Sequence, residues 1–338
     1  MNSMSVLDII VLGGSAGGVE PLRTVVKHLP ADLPAALFVV QHLSPNAHSA
    51  LPLILARSGK LPCAHAKDGE PIHRGRIYIA PPEHHMLITN DRVRLTRGPR
   101  ENRVRPAVDP LFRSAARWRG PRVVGVVLSG ALNDGTAGLL AIKRCGGVTV
   151  VQDPKEALFS GMPQSALDHV AADHCLAAAE IGALLASIAG EPVSPAPPVP
   201  QDVLVEDEIA EGKPINVAEV GLAAPTGLVC PDCGGALNQM LDGAPLQRLR
   251  CRVGHAHTLT TLGSAKAEAL EAALWEALRS QGERVEIYQR LAAQSNAQGQ
   301  LSMARRWQTR AEELEKHAAI IQELLISQNI ADTNPDLE

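Results

Sequence analysis

Between residue 6 and about residue 188 the chain alternates two patterns. Runs of Val, Ile and Leu with little polar interruption lie at 6–12, 37–40, 77–80, 123–128 and 148–151. Such runs suit strands covered on both faces, as in a parallel sheet. Between them, stretches of mixed polarity predict helices at 19–28, 47–57, 110–117, 136–145, 163–170 and 179–188. Each helix follows a strand or a turn of Gly, Asp or Pro. The alternation predicts an α/β domain, a doubly wound and mostly parallel sheet, over 1–189. Residues 85–89 and 92–96, joined by Asn90-Asp91, predict a hairpin that interrupts it.

After residue 189 the pattern changes. The segment 190–200 reads GEPVSPAPPVP, which neither a helix nor an inner strand can hold, and predicts a stiff linker. Acidic residues 202–211 extend it, so 190–226 reads as a Pro-rich and acidic linker. A Gly/Cys-rich unit follows at 227–258. From 259 to 330 the pattern is helical, broken at 296–299. In the last helix Trp307, Ala311, Leu314, Ala318, Ile321 and Leu325 recur at steps of four and three, a coiled-coil seam. Leu274, Leu278, Val285, Tyr288 and Ala292 offer the opposing face, which predicts a C-terminal helical hairpin or coiled coil.

Composition narrows the function. The chain has 338 residues, 45% hydrophobic and 20% charged, values of a globular protein with room for two domains. Aromatic residues are 2% and the net charge is -4, which argues against base-stacking platforms and a broad nucleic-acid footprint. No apolar run is long enough to span a bilayer. The N-terminus carries Asp8 inside its apolar run and lacks a basic start, unlike a signal peptide. The expectation is a cytoplasmic protein with reduced thiols. Cys63, Cys145 and Cys175 stand singly and read as buried small hydrophobes.

The first apolar run ends in Gly13-Gly14-Ser15-Ala16-Gly17-Gly18 and a helix follows. Glycines around a serine permit a sharp turn that lifts the hydroxyl to the carboxyl edge of a sheet. There the free N–H groups of a helix start face a developing oxyanion. The spacing fits G-x-S-x-G. It fits neither G-x-G-x-x-G nor a Walker lysine motif, so nucleotide binding lacks its usual support. A nucleophilic serine needs a base, and the base needs an orienting carboxylate. His42 directly follows the second strand, at the same edge; His48, His84 and His85 compete. Asp134 lies in the turn after the strand 123–128, where an aspartate also commonly caps a helix; Asp109 and Asp153 are alternatives. Strand ends at one sheet edge are where ligands bind in open α/β sheets.

Six segments together resemble the catalytic domain of the CheB chemotaxis methylesterases: 13–18 (GGSAGG), 40–43 (VQHL), 76–82 (RIYIAPP), 105–112 (RPAVDPLF), 128–138 (LSGALNDGTAG) and 161–164 (GMPQ). The resemblance spans about half of the chain. It implies Ser15 as nucleophile, His42 as base and Asp134 as orienter, with no cofactor for catalysis. It implies hydrolysis of glutamyl γ-methyl esters on the cytoplasmic helices of chemoreceptors, and deamidation of glutamines there. Oxyanion donors are expected among the N–H groups of Ala16, Gly17 and Gly18, with one from Ala131. Two departures stand out. The chain starts at the catalytic strand, so the family's receiver domain and its phosphorylation gate in cis are expected to be absent. The family's usual Gly-Met-Gly before Asn-Asp-Gly is here Gly130-Ala131-Leu132.

Cys230-Pro-Asp-Cys233 and Cys251-Arg-Val-Gly-His255 form a C-x2-C … C-x3-H pattern. Two short chelating turns can supply four tetrahedral ligands, so the unit reads as zinc-ribbon-like, with structural Zn and His257 as alternative fourth ligand. With the C-terminal helices it is a candidate contact for a homo-oligomer or a signalling partner. Competing readings are a non-catalytic adaptor on a degenerate esterase domain, a small-molecule esterase or amidase, and a nucleic-acid-binding ribbon with Arg248, Arg250 and Arg252.

Overall fold

A computed structural model describes residues 5–42 and 49–331, with side chains to 327. Leu43, Ala47 and His48 lie outside the described residues. In chain order the first elements are β1 (Ile9–Gly14), α1 (Val19–Lys27), β2 (Ala36–Gln41), α2 (Leu51–Ser58), β3 (Cys63–His65), β4 (Ile77–Ile79), β5 (His85–Ile88) and β6 (Val93–Thr96). Then come α3 (Val108–Arg119), β7 (Val123–Val127), α4 (Thr136–Arg144), β8 (Val148–Gln152), α5 (Gly161–His169), β9 (His174–Leu176) and α6 (Ala178–Ile188).

Seven strands form one parallel sheet in the order β3-β4-β2-β1-β7-β8-β9. Successive side chains of a strand point to opposite faces. Val11, Phe38 and Val40 therefore pack with Leu111 and Phe112 of α3, Leu139 and Ile142 of α4 and Met162 of α5. Ile10, Leu12, Leu37 and Val39 pack on the other side with Leu22 and Val25 of α1, Leu55 of α2 and Ile181 and Leu185 of α6. Burial on both faces is why the strands read as unbroken apolar runs. Chain order reverses at β1, with β2 on one side and β7 on the other. This is the topological switch at which open α/β sheets place their sites. The expected hairpin is β5 paired antiparallel with β6.

The edge strands β3 and β9 were not foreseen. Each has three residues, too short for a periodic signal. Cys145 is buried and Cys63 half-buried, but Cys175, on edge strand β9, is exposed, contrary to the expectation of burial.

The acidic part of the expected linker is not a solvated spacer. Residues Gln201–Ala210 form a helix, α7, with Asp202, Glu206 and Asp207 buried. These carboxylates are satisfied by arginines from distant segments. Arg144 holds Asp202, Arg117 holds Asp207, and Arg248 and Arg250 hold Glu206.

After α7 the strands β10 (Ala223–Val229), β11 (Ala236–Met240), β12 (Arg248–Cys251) and β13 (Ala256–Thr258) make an antiparallel sheet in that order. Its core is small: Cys230, Leu237, Leu249, Cys251 and Leu262. This sheet belongs to one compact unit with the parallel sheet, Met1–Leu262. The second unit, Gly263–Glu338, holds most of α8 (Leu259–Ala297) and α9 (Leu301–Ala331). The two helices form the hairpin, with Tyr288 stacked on Trp307 at 5.5 Å between centroids and Ala311 and Leu314 buried. Among the described residues no helix is long and apolar enough to cross a membrane.

Removing one partner of a buried ion pair strands the other charge, at about 3–5 kcal/mol, whereas an exposed pair is worth about 1 kcal/mol or less. Glu206→Ala is therefore expected to lower unfolding free energy in urea by the larger amount. Arg23→Ala, in an exposed pair with Glu20, should fall near the smaller. Equal effects would contradict the buried network.

Candidate active site

Three loops at the carboxyl edge carry the site. Ser15 follows β1 in a turn where Ser15 N–H donates to the Ser129 carbonyl at 2.9 Å and Gly18 N–H to the Ser15 carbonyl at 2.9 Å. Gly17 has φ +68°, which its lack of a Cβ allows without strain. Gln41, the last residue of β2, props the turn by donating Nε2 to the Ser15 carbonyl at 2.5 Å. A Cβ at position 18 would lie 2.5 Å from Gln41 Oε1, so this propping needs glycine there.

His42 comes next in the chain. Its Nδ1 lies 3.0 Å from Ser15 Oγ and its Nε2 lies 2.7 Å from Asp134 Oδ2. An ionised carboxylate only accepts, so Nε2 carries the proton and Nδ1 is left to accept from the serine hydroxyl. The imidazole is partly open, at 16% exposure, while the Asp134 side chain is 3% exposed.

Asp134 is wrapped in donors. Oδ2 also accepts from Val108 N–H at 2.7 Å. Oδ1 accepts from Gly135 N–H at 3.0 Å, Asp109 N–H at 3.2 Å and Asn102 Nδ2 at 3.1 Å. Burial alone would raise this carboxyl's pKa; the His42 hydrogen bond and charge, with the Val108 and Asn102 donors, outweigh it and hold it down at about 2. Its neighbour Asp109 goes the other way. Burial, then the charge of Asp134, push it up to about 8, although Gly138 N–H donates to it at 2.6 Å.

The competing residues are placed elsewhere. His85 is fully buried, with Nε2 at 3.0 Å from the Pro99 carbonyl and Nδ1 accepting from Ala107 N–H. Burial lowers its pKa to about 4, so it is a neutral packing residue. His84 contacts the Pro82 carbonyl, and Asp153 caps its own loop at Lys155 N–H. Asp109 touches Asn102 and Gly138.

Of the expected oxyanion donors, Gly18 must be withdrawn, because its N–H is spent on the Ser15 carbonyl. The Gly130 N–H is likewise spent on the Phe159 carbonyl at 3.0 Å. Ala16, Gly17 and Ala131 stay as candidates. Leu132 takes φ +62°, the left-handed conformation natural to glycine, and is 40% exposed. Leu158 and Phe159, beside Gly17, are also exposed, so the serine has an apolar and open rim.

The sequence reading missed Gln41 and Asn102. Gln41 belongs to VQHL and could have been found as the polar end of an apolar strand. Asn102 sits in a loop of Arg, Glu and Asn, where no pattern singles out one amide.

A family model described as CheB methylesterase matches residues 10–185, just over half of the chain. The chain belongs to the CheB methylesterase family. A protein-glutamate methylesterase/protein-glutamine glutaminase 2 of Anaeromyxobacter dehalogenans is 38% identical over 175 residues, 52% of this chain and 51% of the relative. A protein-glutamate methylesterase/protein-glutamine glutaminase 1 of Xanthomonas campestris pv. campestris is 42% identical over 162 residues, 47% of this chain and 45% of the relative. The chain thus spans about half the length of these curated relatives. The crystal structure of the Thermotoga maritima CheB methylesterase catalytic domain is similar with a TM-score of 0.51 and 34% identity. The match covers 53% of this chain and 97% of that one.

Outside the matched region, Cys230, Cys233, Cys251 and His255 converge, with one ligand atom of each within 4.8 Å of the others. Cys233 and Cys251 sulfurs are 3.7 Å apart, and His255 Nδ1 is 3.7 Å from Cys251 and 3.8 Å from Cys230. A tetrahedron with bonds of about 2.3 Å has edges of about 3.8 Å, so the donor set fits zinc. His257, the alternative ligand, is buried and pairs instead with Asp232 at 3.0 Å, although its Nε2 also lies 3.7 Å from Cys230.

The Asp109 shift has a signed consequence. Its folded pKa is above the unfolded value of about 4, so the stability from its protonated form is full below about pH 4 and lost as pH rises through about 8. Urea unfolding at about pH 5 and about pH 9 should show a loss in wild type that is smaller in Asp109→Asn. An identical loss in both would show that Asp109 does not titrate in this range.

Proposed function

We propose that this chain is a protein-glutamate methylesterase acting on the cytoplasmic helices of chemoreceptors, with Ser15, His42 and Asp134 as its catalytic residues. The observation that carries the reading is the continuous relay from Ser15 Oγ through the His42 ring to Asp134 at a half-open sheet edge. Ser15 Oγ attacks the ester carbonyl carbon while His42 Nδ1 takes the hydroxyl proton. Asp134 steadies the imidazolium and keeps the proton on Nε2. The oxyanion is met by N–H groups from Ala16, Gly17 and Ala131. Collapse breaks the bond to methoxide, which leaves as methanol with the proton from Nδ1. A glutamyl ester on Ser15 remains. Water, deprotonated by Nδ1, attacks it and releases glutamate and the free serine. A glutamine amide follows the same path and releases ammonia, the deamidase activity named for the relatives.

The exposed rim of Leu132, Leu158 and Phe159 favours a macromolecular helix over a small ester, which would call for a deep enclosing pocket. The four-ligand cluster supports a structural zinc ion that closes a unit with a very small core. No protein position is left open there, so this metal takes no part in ester hydrolysis. Exposed Leu270, Trp275, Ile287 and Ile320 support the helical hairpin as a contact for another copy or a signalling partner.

Methanol release from methylated receptor tests the nucleophile. Wild type should release it, and Ser15→Ala should be slower by about 10^4-fold or more. Equal rates would overturn the role of Ser15. Metal analysis tests the ribbon. Wild type should carry close to one zinc per chain and Cys230→Ser markedly less; metal-free wild type would refute the site.

A further inference from the structure

We infer that the metal-ribbon unit is a positioning device for the esterase site, with Asn102 as the residue through which it acts on Asp134. The inference rests on the esterase reading and adds a dependence of that site on the C-terminal extension.

Asn102 stands between the two. Its Nδ2 donates to Asp134 Oδ1 and to Asp109 Oδ2, both at 3.1 Å. It is buried, and it takes φ +50°, followed by Arg103 at φ +69°. The two are the central residues of a turn closed by Val104 N–H donating to the Glu101 carbonyl at 3.0 Å. The ribbon packs against this turn. Asn102 N–H donates to the Ala256 carbonyl at 2.9 Å, and Ala256 N–H donates to the Arg100 carbonyl at 3.2 Å. Glu101 thereby bridges to Ala256 in parallel register.

Side chains lock the same seam. The buried Glu101 carboxylate meets Arg113 of α3 at 2.6 Å and Arg250 of the ribbon at 3.1 Å. Arg250 also reaches Glu206 of α7 at 2.7 Å. Next to Asp134 in the chain, Asn133 exchanges hydrogen bonds with Thr258 Oγ1 at 2.8 and 3.1 Å. A void of only 10 Å³ remains between these groups, room for about one water.

The metal cluster is joined to this seam by covalent adjacency. Ala256 directly follows the ligand His255, and Thr258 lies two residues further. The knuckle Cys251–His255 presses its Gly254 against Pro99 and Ile209, where a Cβ would meet carbons at 2.8 and 2.7 Å. Closing the ribbon on its ion therefore fixes the backbone that holds Asn102, and Asn102 fixes the rotation of the Asp134 carboxylate. That rotation aims Oδ2 at His42.

The test uses the full chain, zinc-loaded and after zinc removal by a chelator, in wild type and in Asn102→Ala. Two readouts are taken: methanol release from methylated receptor, and the downfield proton resonance of the His42 Nε2–H to Asp134 hydrogen bond. Asn102→Ala and zinc removal should each lower kcat by about 10- to 100-fold with KM nearly unchanged, and each should weaken that resonance. The losses should not multiply when combined, because both act through one amide. An unchanged kcat and resonance in folded, zinc-free protein would overturn the inference, as would losses that multiply. If wild type releases no methanol, the esterase reading fails while the resonance still decides whether zinc and Asn102 position Asp134.

Discussion

A single buried carboxylate sets the terms for the site. Asp134 is withdrawn from water and stays ionised only because its two oxygens collect His42 Nε2, three backbone N–H groups and the Asn102 amide. Leaving a buried charge unsatisfied costs several kcal/mol, so these donors must all be in place. Their sources are the turn after β7, the start of α3 and the loop before it. The order of the strands around β1 brings those segments together, and the same order puts Ser15 and His42 on adjacent strand ends. The relay follows from topology plus one well-solvated charge, with the protein supplying the solvation.

The buried neighbour Asp109 shows the same constraint from its other side. Two carboxyls share the Asn102 amide, and both cannot keep a charge there. The one that contacts His42 stays ionised, and the other holds its proton. The charge is thereby concentrated where the imidazole needs it.

Much of this could be read from the chain before any coordinates. Unbroken Val/Ile/Leu runs exposed the parallel sheet, because strands covered on both faces have no polar alternation to obscure them. Ser15, His42 and Asp134 were singled out because each follows an apolar run at what had to be one edge. The helix α7 was not legible. Its Asp202, Glu206 and Asp207 look like a solvated charge run, and they are buried only because Arg117, Arg144, Arg248 and Arg250 arrive from far along the chain. Asn102 was hidden for the same reason: its role depends on two partners more than twenty residues beyond it, Asp134 and Ala256. Gly18 read as an oxyanion donor from position alone. Only the turn geometry reveals that its N–H is already used.

Covalent trapping of the nucleophile tests the account most directly. A fluorophosphonate that reacts with activated serines should label the wild-type chain at Ser15, located by mass spectrometry, and should label Asp134→Asn slower by about 10^3-fold or more. Labelling of another serine, or an equal rate at Ser15 in Asp134→Asn, would contradict the relay on which the account stands.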